Sequence, residues 1–224
     1  MKKLSIFIVI GTLSLMLLLP IPSLAQEIRG GLKLGLNMAN IHGTDVTNFE
    51  NVTEESWGSK IGFCVGGYIT FKIGEMFAIQ PEAFYTMKGA KIETTLLGET
   101  VKAKLKFSYL EIPVLAKLLI PTQSNVKPSL FVGPTLAIKL SGKAWAEYAG
   151  VSDEANIEDM KGIDFGLIIG AGIDFGLGAA SKGKITADLR YVLGLTTIYK
   201  PLVEGEEILD VKNGVFSLMI GYSF

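Results

Sequence analysis

The 224-residue sequence has one cysteine, Cys64, one histidine, His42, and two tryptophans. A single cysteine excludes an internal disulfide and a cysteine-based zinc site. Setting Lys2 and Lys3 aside from the 21 basic residues leaves 19 against 22 acidic ones, a net charge of −3 from residue 26 onward. That balance lacks the basic face that a nucleic-acid partner needs. No Walker-type loop, dinucleotide fingerprint or His-rich metal motif is present. After residue 25 there is also no uninterrupted apolar run near 18 residues: Leu110–Ile120 carries Glu111 and Lys117, and Leu167–Phe175 carries Asp174. No helix there is apolar enough to cross a bilayer, although the mean hydropathy of the chain is +0.40.

What is present begins with a targeting pattern. Lys2 and Lys3 precede an apolar stretch, Leu4–Leu19, which ends in Pro20-Ile21-Pro22-Ser23-Leu24-Ala25. The basic start, apolar centre and small-x-small ending are those of a secretory signal peptide. Residues 1–25 are therefore expected to be removed, leaving 26–224 as one domain. No cysteine follows the cut, so a lipid-modified N-terminus is not expected.

The mature part is dominated by period-two alternation, which places successive side chains of a strand on opposite faces. Phe216, Leu218, Ile220, Tyr222 and Phe224 form one row against Ser217, Gly221 and Ser223, with Val215 and Met219. Odd positions from Ile163 to Leu177 are apolar, while the even ones are mostly Gly and Asp. Residues 185–196 and 109–120 repeat the pattern, with weaker versions near 28–41, 57–73, 76–91 and 127–146. About eight strands result, most of them longer than the 9–11 residues that a tilted strand needs to cross a bilayer. The joins alternate. Residues 42–56, 91–101, 147–161 and 200–212 read as long polar loops; Gly74-Glu75, 121–125 and 178–183 read as short turns.

The row opposite the apolar one is rich in Gly with isolated charges, unlike the Lys/Glu/Thr cover of a solvated sheet. Small residues suit the interior of a narrow barrel, and a continuous apolar row suits lipid, where backbone polar groups must be paired by closing the sheet. The expected fold is all-β: a single antiparallel transmembrane β-barrel of eight strands, an up-and-down meander in the bacterial outer membrane. The long loops face outward and both chain ends face the periplasm. Aromatic girdles follow, with Trp57, Trp145, Tyr148 and Tyr199 at the outer rim and Phe71, Phe77, Phe131, Phe175, Tyr222 and Phe224 at the other. Inward charges are expected at Lys33, Glu82, Glu111, Lys117, Asp174, Asp188 and Arg190. Because an unpaired buried charge is costly, these should join in a polar network that plugs the interior.

Tyr109-Leu110-Glu111-Ile112-Pro113-Val114-Leu115-Ala116-Lys117, Lys127-Pro128-Ser129-Leu130-Phe131-Val132-Gly133-Pro134, Asp164-Phe165-Gly166 with Gly170-Ala171-Gly172-Ile173-Asp174, and Leu189-Arg190-Tyr191-Val192-Leu193-Gly194-Leu195-Thr196 occur in this order. With them the chain resembles the PorT-like outer-membrane β-barrel family of Bacteroidetes-type bacteria. The resemblance implies a fold and a location. It also implies that Tyr222 and Phe224, in the closing segment 216–224, form the signal read by the barrel-insertion machinery. The family's name-giving member is linked to a protein-secretion system.

Chemistry is sparse. His42 and Asp45 in the first long loop could only suggest a surface lipid-modifying enzyme, and a nucleophile and base also need hydrogen-bond reach and an orienting partner. Glu147, Asp153, Glu154, Glu158 and Asp159 crowd one loop, but their spacing matches no calcium motif. The expected function is non-enzymatic, with no catalytic residue, cofactor or metal: a structural or interaction role through the extracellular loops. A small-solute pore or an accessory part of a secretion apparatus are the alternatives. The expected partners are outer-membrane lipid and, during assembly, the insertion machinery.

Overall fold

The computed structural model describes residues 27–53, 57–96, 99–148, 150–157, 160–177, 183–199 and 209–224. The proposed signal peptide lies outside them. Among the described residues, nine strands and one helix follow in chain order: β1 (Glu27–His42), α1 (Thr44–Thr53), β2 (Gly58–Ile73), β3 (Phe77–Leu96), β4 (Glu99–Leu119), β5 (Val126–Tyr148), β6 (Val151–Asn156), β7 (Ile163–Gly176), β8 (Lys184–Gly194) and β9 (Lys212–Ser223).

Eight of the strands form a closed ring. Each pairs antiparallel with its sequence neighbour, β5 passes directly to β7, and β9 returns to β1 through twelve residue pairs from Gly31↔Ser223 to His42↔Lys212. β6 is a short ninth strand that pairs only with the far end of β5. Ring closure leaves no free edge within the barrel, the condition for a sheet to stand in hydrocarbon. Two gaps in the ladders fall where prolines sit. The pairings that would join Glu82 to Pro113 and Val114 to Pro134 are missing, since proline has no N–H to donate.

The alternation read from the sequence is the alternation of the two faces. Along β1, Leu32, Leu34, Leu36 and Met38 point outward and are 57–65% exposed, while Gly31, Lys33, Gly35, Asn37 and Ala39 are buried inside. On β9, Phe216, Leu218, Ile220 and Tyr222 are outward and Val215, Ser217, Met219 and Ser223 are inside. The outward rows of β5, β7 and β8 are equally apolar. An apolar surface this extensive does not face water in a folded monomer. The row Ile28–Met38 extends about 33 Å along the strand at ~3.3 Å per residue; a tilt of ~40° makes that a band about 25 Å tall, the height of hydrocarbon that such barrels match.

The interior is narrow and filled. A Cβ at Gly170 would lie 2.5 Å from the Phe131 ring, and one at Gly35 would lie 2.6 Å from Met219. Glycine at those inward positions is what lets the two large side chains lie across the lumen.

Two expectations need correction. Residues 91–101 and 147–161 are not simply loops: β3 runs on to Leu96, β4 starts at Glu99, and β5 and β6 form a hairpin through Tyr148↔Val151. Together they make a four-stranded extension standing beyond the apolar band. Alternating charge on its outward face (Lys102, Lys104, Lys106) reads as a polar loop when strand pairing is ignored. Phe131 is not a rim aromatic. It shares the parity of Ser129 and Gly133 and is 3% exposed inside the barrel. Phe77, Phe175, Tyr222 and Phe224 do point outward near the short-turn end, whereas Trp57 and Tyr199 pack partly buried against the cluster that closes the opposite mouth. The 42–56 segment contains α1; residues 178–182, 158–159 and 200–208 lie outside the described part.

Candidate functional site: the interior polar network

The inward rows of β1, β3 and β8 meet near the middle of the lumen. Lys33 Nζ donates to Asp188 Oδ2 at 2.6 Å and to Glu82 Oε1 at 3.3 Å. Arg190 Nη1 donates to Glu82 Oε2 at 2.6 Å, and its Nη2 reaches Asp188 Oδ2 at 2.9 Å and Glu82 Oε1 at 3.3 Å. All four side chains are at most 4% exposed. Two cations and two anions so placed are mutually neutral. The Arg190 guanidinium also stands 5.6 Å from the Phe84 ring and 5.4 Å from the Phe131 ring, a geometry that favours a desolvated cation.

Hydrogen bonds extend this core toward the short-turn end. Gln80 Nε2 donates to Glu82 Oε1 at 2.6 Å; Gln80 Oε1 accepts from Thr70 at 2.8 Å and from Lys117 Nζ at 3.3 Å. A second tier lies on the other side. Glu111 accepts from Lys88 at 3.3 Å and from Thr135 at 3.1 Å, and Asn37 donates to Thr86 and accepts from Ser217, both at 2.8 Å. Higher still, Asp164 accepts from Asn213 at 2.9 Å and from Thr196 at 3.0 Å. Between the polar tiers lie apolar ones: Leu115, Phe131, Ile168, Val192 and Val215 in one, Cys64, Phe84 and Met219 in another.

Of the seven charges anticipated inside, Lys33, Glu82, Asp188 and Arg190 are brought together. Lys117 touches them through Gln80, Glu111 belongs to the separate Lys88–Thr135 tier, and Asp174 is half-buried at the short-turn mouth without a carboxylate–cation contact within 4 Å. Lys88, Gln80, Asn37, Thr135 and Asp164 were not anticipated. Lys88 and Gln80 share the parity of Glu82 on β3, so that signal is in the sequence; apart from Glu82 itself, their partners Glu111, Thr70 and Lys117 lie on other strands and depend on register. Two small recesses adjoin the network, one at the short-turn mouth and one above Arg190, and no residue lines both.

At the mouth opposite the short turns, Ile41, Val46 of α1, Phe107, Tyr109, Met160, Ile198 and Val211 form a buried cluster. The start of α1 is tied across this mouth by Asp210, whose carboxylate accepts from Thr44 N at 3.1 Å. Contacts from Lys212 and Thr44 hold that carboxyl below the usual range. His42 and Asp45 do not form a pair: Asp45 Oδ2 accepts the backbone N–H of Asp210, and burial followed by Lys212 pushes the imidazole below its ordinary value. In the acidic hairpin, Glu154 accepts from Lys106 at 2.6 Å and Lys143 at 2.7 Å. Those two ammoniums lower its carboxyl to about 2. Asp153 falls on the opposite face of β6 from Glu154, while Glu158 and Asp159 lie outside the described residues; no group of three metal-ligating side chains occurs among the described residues.

A closed eight-stranded ring, apolar outside and polar within, is the architecture of a bacterial outer-membrane β-barrel embedded in the lipid of that membrane. The chain belongs to the family described as outer membrane protein beta-barrel domain, which it matches over residues 24–200. No curated protein matches it by sequence. Among solved structures it is similar to Neisserial surface protein A (17% identity, 88% of this chain and 98% of that one, TM-score 0.44). It is also similar to OprG from Pseudomonas aeruginosa (16%, 88% and 94%, 0.44) and to Ail, the attachment invasion locus protein of Yersinia pestis (16%, 89% and 100%, 0.39).

Proposed function

We propose that this barrel is a non-conducting, non-enzymatic outer-membrane protein that acts through its extracellular part as a structural or interaction element. The observation that carries the reading is the combination of a lumen crossed by the Lys33–Glu82–Asp188–Arg190 cluster with a folded extension that leaves the membrane. β3, β4 and β5 continue beyond the apolar band on the same strands that cross it, so a partner there would meet a rigid sheet. On the outward face of that sheet Lys104 lies 4.3 Å from the Trp145 ring, and Glu154 clamps Lys106 and Lys143. Planar-bilayer recording of purified protein tests the closed lumen: no steady unit conductance is expected, and steady openings would favour the small-solute pore instead.

A second reading, an accessory part of a PorT-like secretion apparatus, is supported by the ordered motifs within β4, β5, β7 and β8. Cross-linking at the extension in native membranes followed by pull-down tests it; recovery of envelope secretion components supports this reading, and recovery of lipid and insertion factors alone defeats it. In the same proposal residues 1–25 are a cleaved signal peptide and 26–224 the barrel domain, checked by N-terminal sequencing of the membrane form, with Gln26 expected first. Tyr222 and Phe224 are the insertion signal, so a double substitution to Ser should slow assembly in cells. Unchanged assembly would remove that assignment. Surface lipid chemistry at His42 is disfavoured, and unchanged lipids in a His42→Ala strain are expected.

A further inference from the structure

The short-turn end of the lumen contains buried donors whose hydrogen bonding is incomplete. A recess there, with about 50 Å³ of free space, is lined by Lys72, Lys117, Lys184, Tyr68, Thr186 and Ser223 among others. At roughly 10–15 Å³ of such space per water, it has room for a few waters or one small anion. Lys117 is 5% exposed, and its ammonium has a single hydrogen bond, the 3.3 Å contact with Gln80, and no carboxylate within 4 Å. Tyr68 Oη and Thr186 Oγ1, on residues 7% and 4% exposed, are buried neighbours beside Ser223 that make no hydrogen bond of good geometry with each other or with any other group. Native proteins pair such groups. The recess floor is the Lys33 side of the ion cluster, where Lys33 is already neutralised by Glu82 and Asp188. Around the rim, Arg29 is paired with Glu27, while Lys72 and Lys184 add positive charge against one unpaired carboxylate, Asp174.

We infer that this periplasm-facing recess is a binding site for a phosphate-class oxyanion, held by the Lys117 ammonium and the Tyr68 and Thr186 hydroxyls. The three donors sit on three strands, β4, β2 and β8, around one recess, and a phosphate carries enough oxygens to accept from all of them. The anion would complete the hydrogen bonding of three buried groups and balance the surplus cations. Its source is either free phosphate or a phosphate monoester on a larger periplasmic molecule, the mouth being open on that side. The site is independent of the extracellular reading above.

The test is titration of the full-length mature barrel, in maltoside micelles, with inorganic phosphate and in parallel with glycerol 3-phosphate. It is followed by calorimetry and phosphorus NMR line width. Saturable binding at one site per chain is expected. Lys117→Met should weaken it about tenfold or more, the weight of one charge-assisted contact, and Thr186→Val and Tyr68→Phe should each weaken it several-fold. Asp174→Asn should tighten it, because a competing carboxylate is removed. Equal or tighter binding of the ester identifies a carried phosphate as the ligand class; binding of phosphate alone identifies the free ion. If Lys117→Met does not fold, judged by its gel mobility before and after boiling, the two hydroxyl variants decide. Absence of saturable binding through the tens of millimolar overturns the inference, as does binding that Thr186→Val and Tyr68→Phe leave unchanged.

Discussion

Glu82→Gln removes one charge from the centre of the lumen while keeping the side chain's shape. In the native cluster Glu82 accepts from Lys33, Gln80 and Arg190 through two oxygens. After the change, Lys33 and Arg190 share only Asp188, whose Oδ1 already lacks a partner, and the neutral group of four becomes net positive. Breaking a buried pair on one side costs about 3–5 kcal/mol, a large part of the ~5–15 kcal/mol that separates folded from unfolded states. With a urea slope of about 2 kcal/mol per molar, the midpoint should fall by ~1.5–2.5 M. Arg190→Met should cost a similar amount. The double variant should be much better than additive, because Lys33 and Asp188 remain a neutral pair at 2.6 Å; a coupling of about 2–3 kcal/mol is expected. Reversible urea unfolding in phospholipid vesicles, read by circular dichroism, measures all three. Single variants costing under about 1 kcal/mol, with additivity within ~0.5 kcal/mol, would refute the reasoning.

Other consequences follow from the same arrangement. Glu82→Ala combined with Arg190→Ala should empty the middle of the lumen, between the two recesses, and produce measurable conductance where none is expected of the parent. Leu34→Lys, at an outward site 61% exposed, should destabilise the membrane-inserted barrel by about 2–4 kcal/mol, whereas Lys104→Gln on the extension should leave its unfolding midpoint unchanged. The Glu154 carboxyl, held at about 2 against an ordinary 4.5, contributes its clamp fully above pH 4.5 and loses it as the pH falls toward 2. Hydrogen exchange in the β5–β6 hairpin, corrected for intrinsic rate, should therefore accelerate between pH 5 and pH 3 in the parent and change less in Lys106→Met.

Much of this architecture was legible because lipid exposure demands strict parity. Leu32, Leu34 and Leu36 could only face one way once Lys33, Gly35 and Asn37 faced the other, and a one-residue slip would expose every charge to hydrocarbon. What parity does not carry is register between strands. Lys33 and Asp188 are 155 positions apart, and their contact depends on β1 and β8 both flanking β9, whereas Glu111 sits too far along β4 to join them. Parity also resets at bulges, such as the shift between Ser108 and Tyr109 in the β4–β5 ladder, where Leu140 is turned outward. The extension has the composition of a loop because solvent on its outward face permits Lys102, Lys104 and Lys106, which inside the apolar band would be forbidden. Aromatic character alone assigns Phe131 to the rim, whereas its parity with Ser129 and Gly133 points inward.

Nitroxide scanning in lipid bilayers addresses the orientation of the two faces most directly. Labels on cysteines introduced singly into a Cys64→Ala background at Leu34, Leu189 and Leu218, and at Asn37, Thr186 and Ser217, would report collision with oxygen and with a water-soluble nickel chelate. The account predicts high oxygen and negligible nickel collision at the three leucine sites and immobile, oxygen-poor spectra at the other three. Nickel access at Leu34, Leu189 and Leu218 in the folded protein would contradict it.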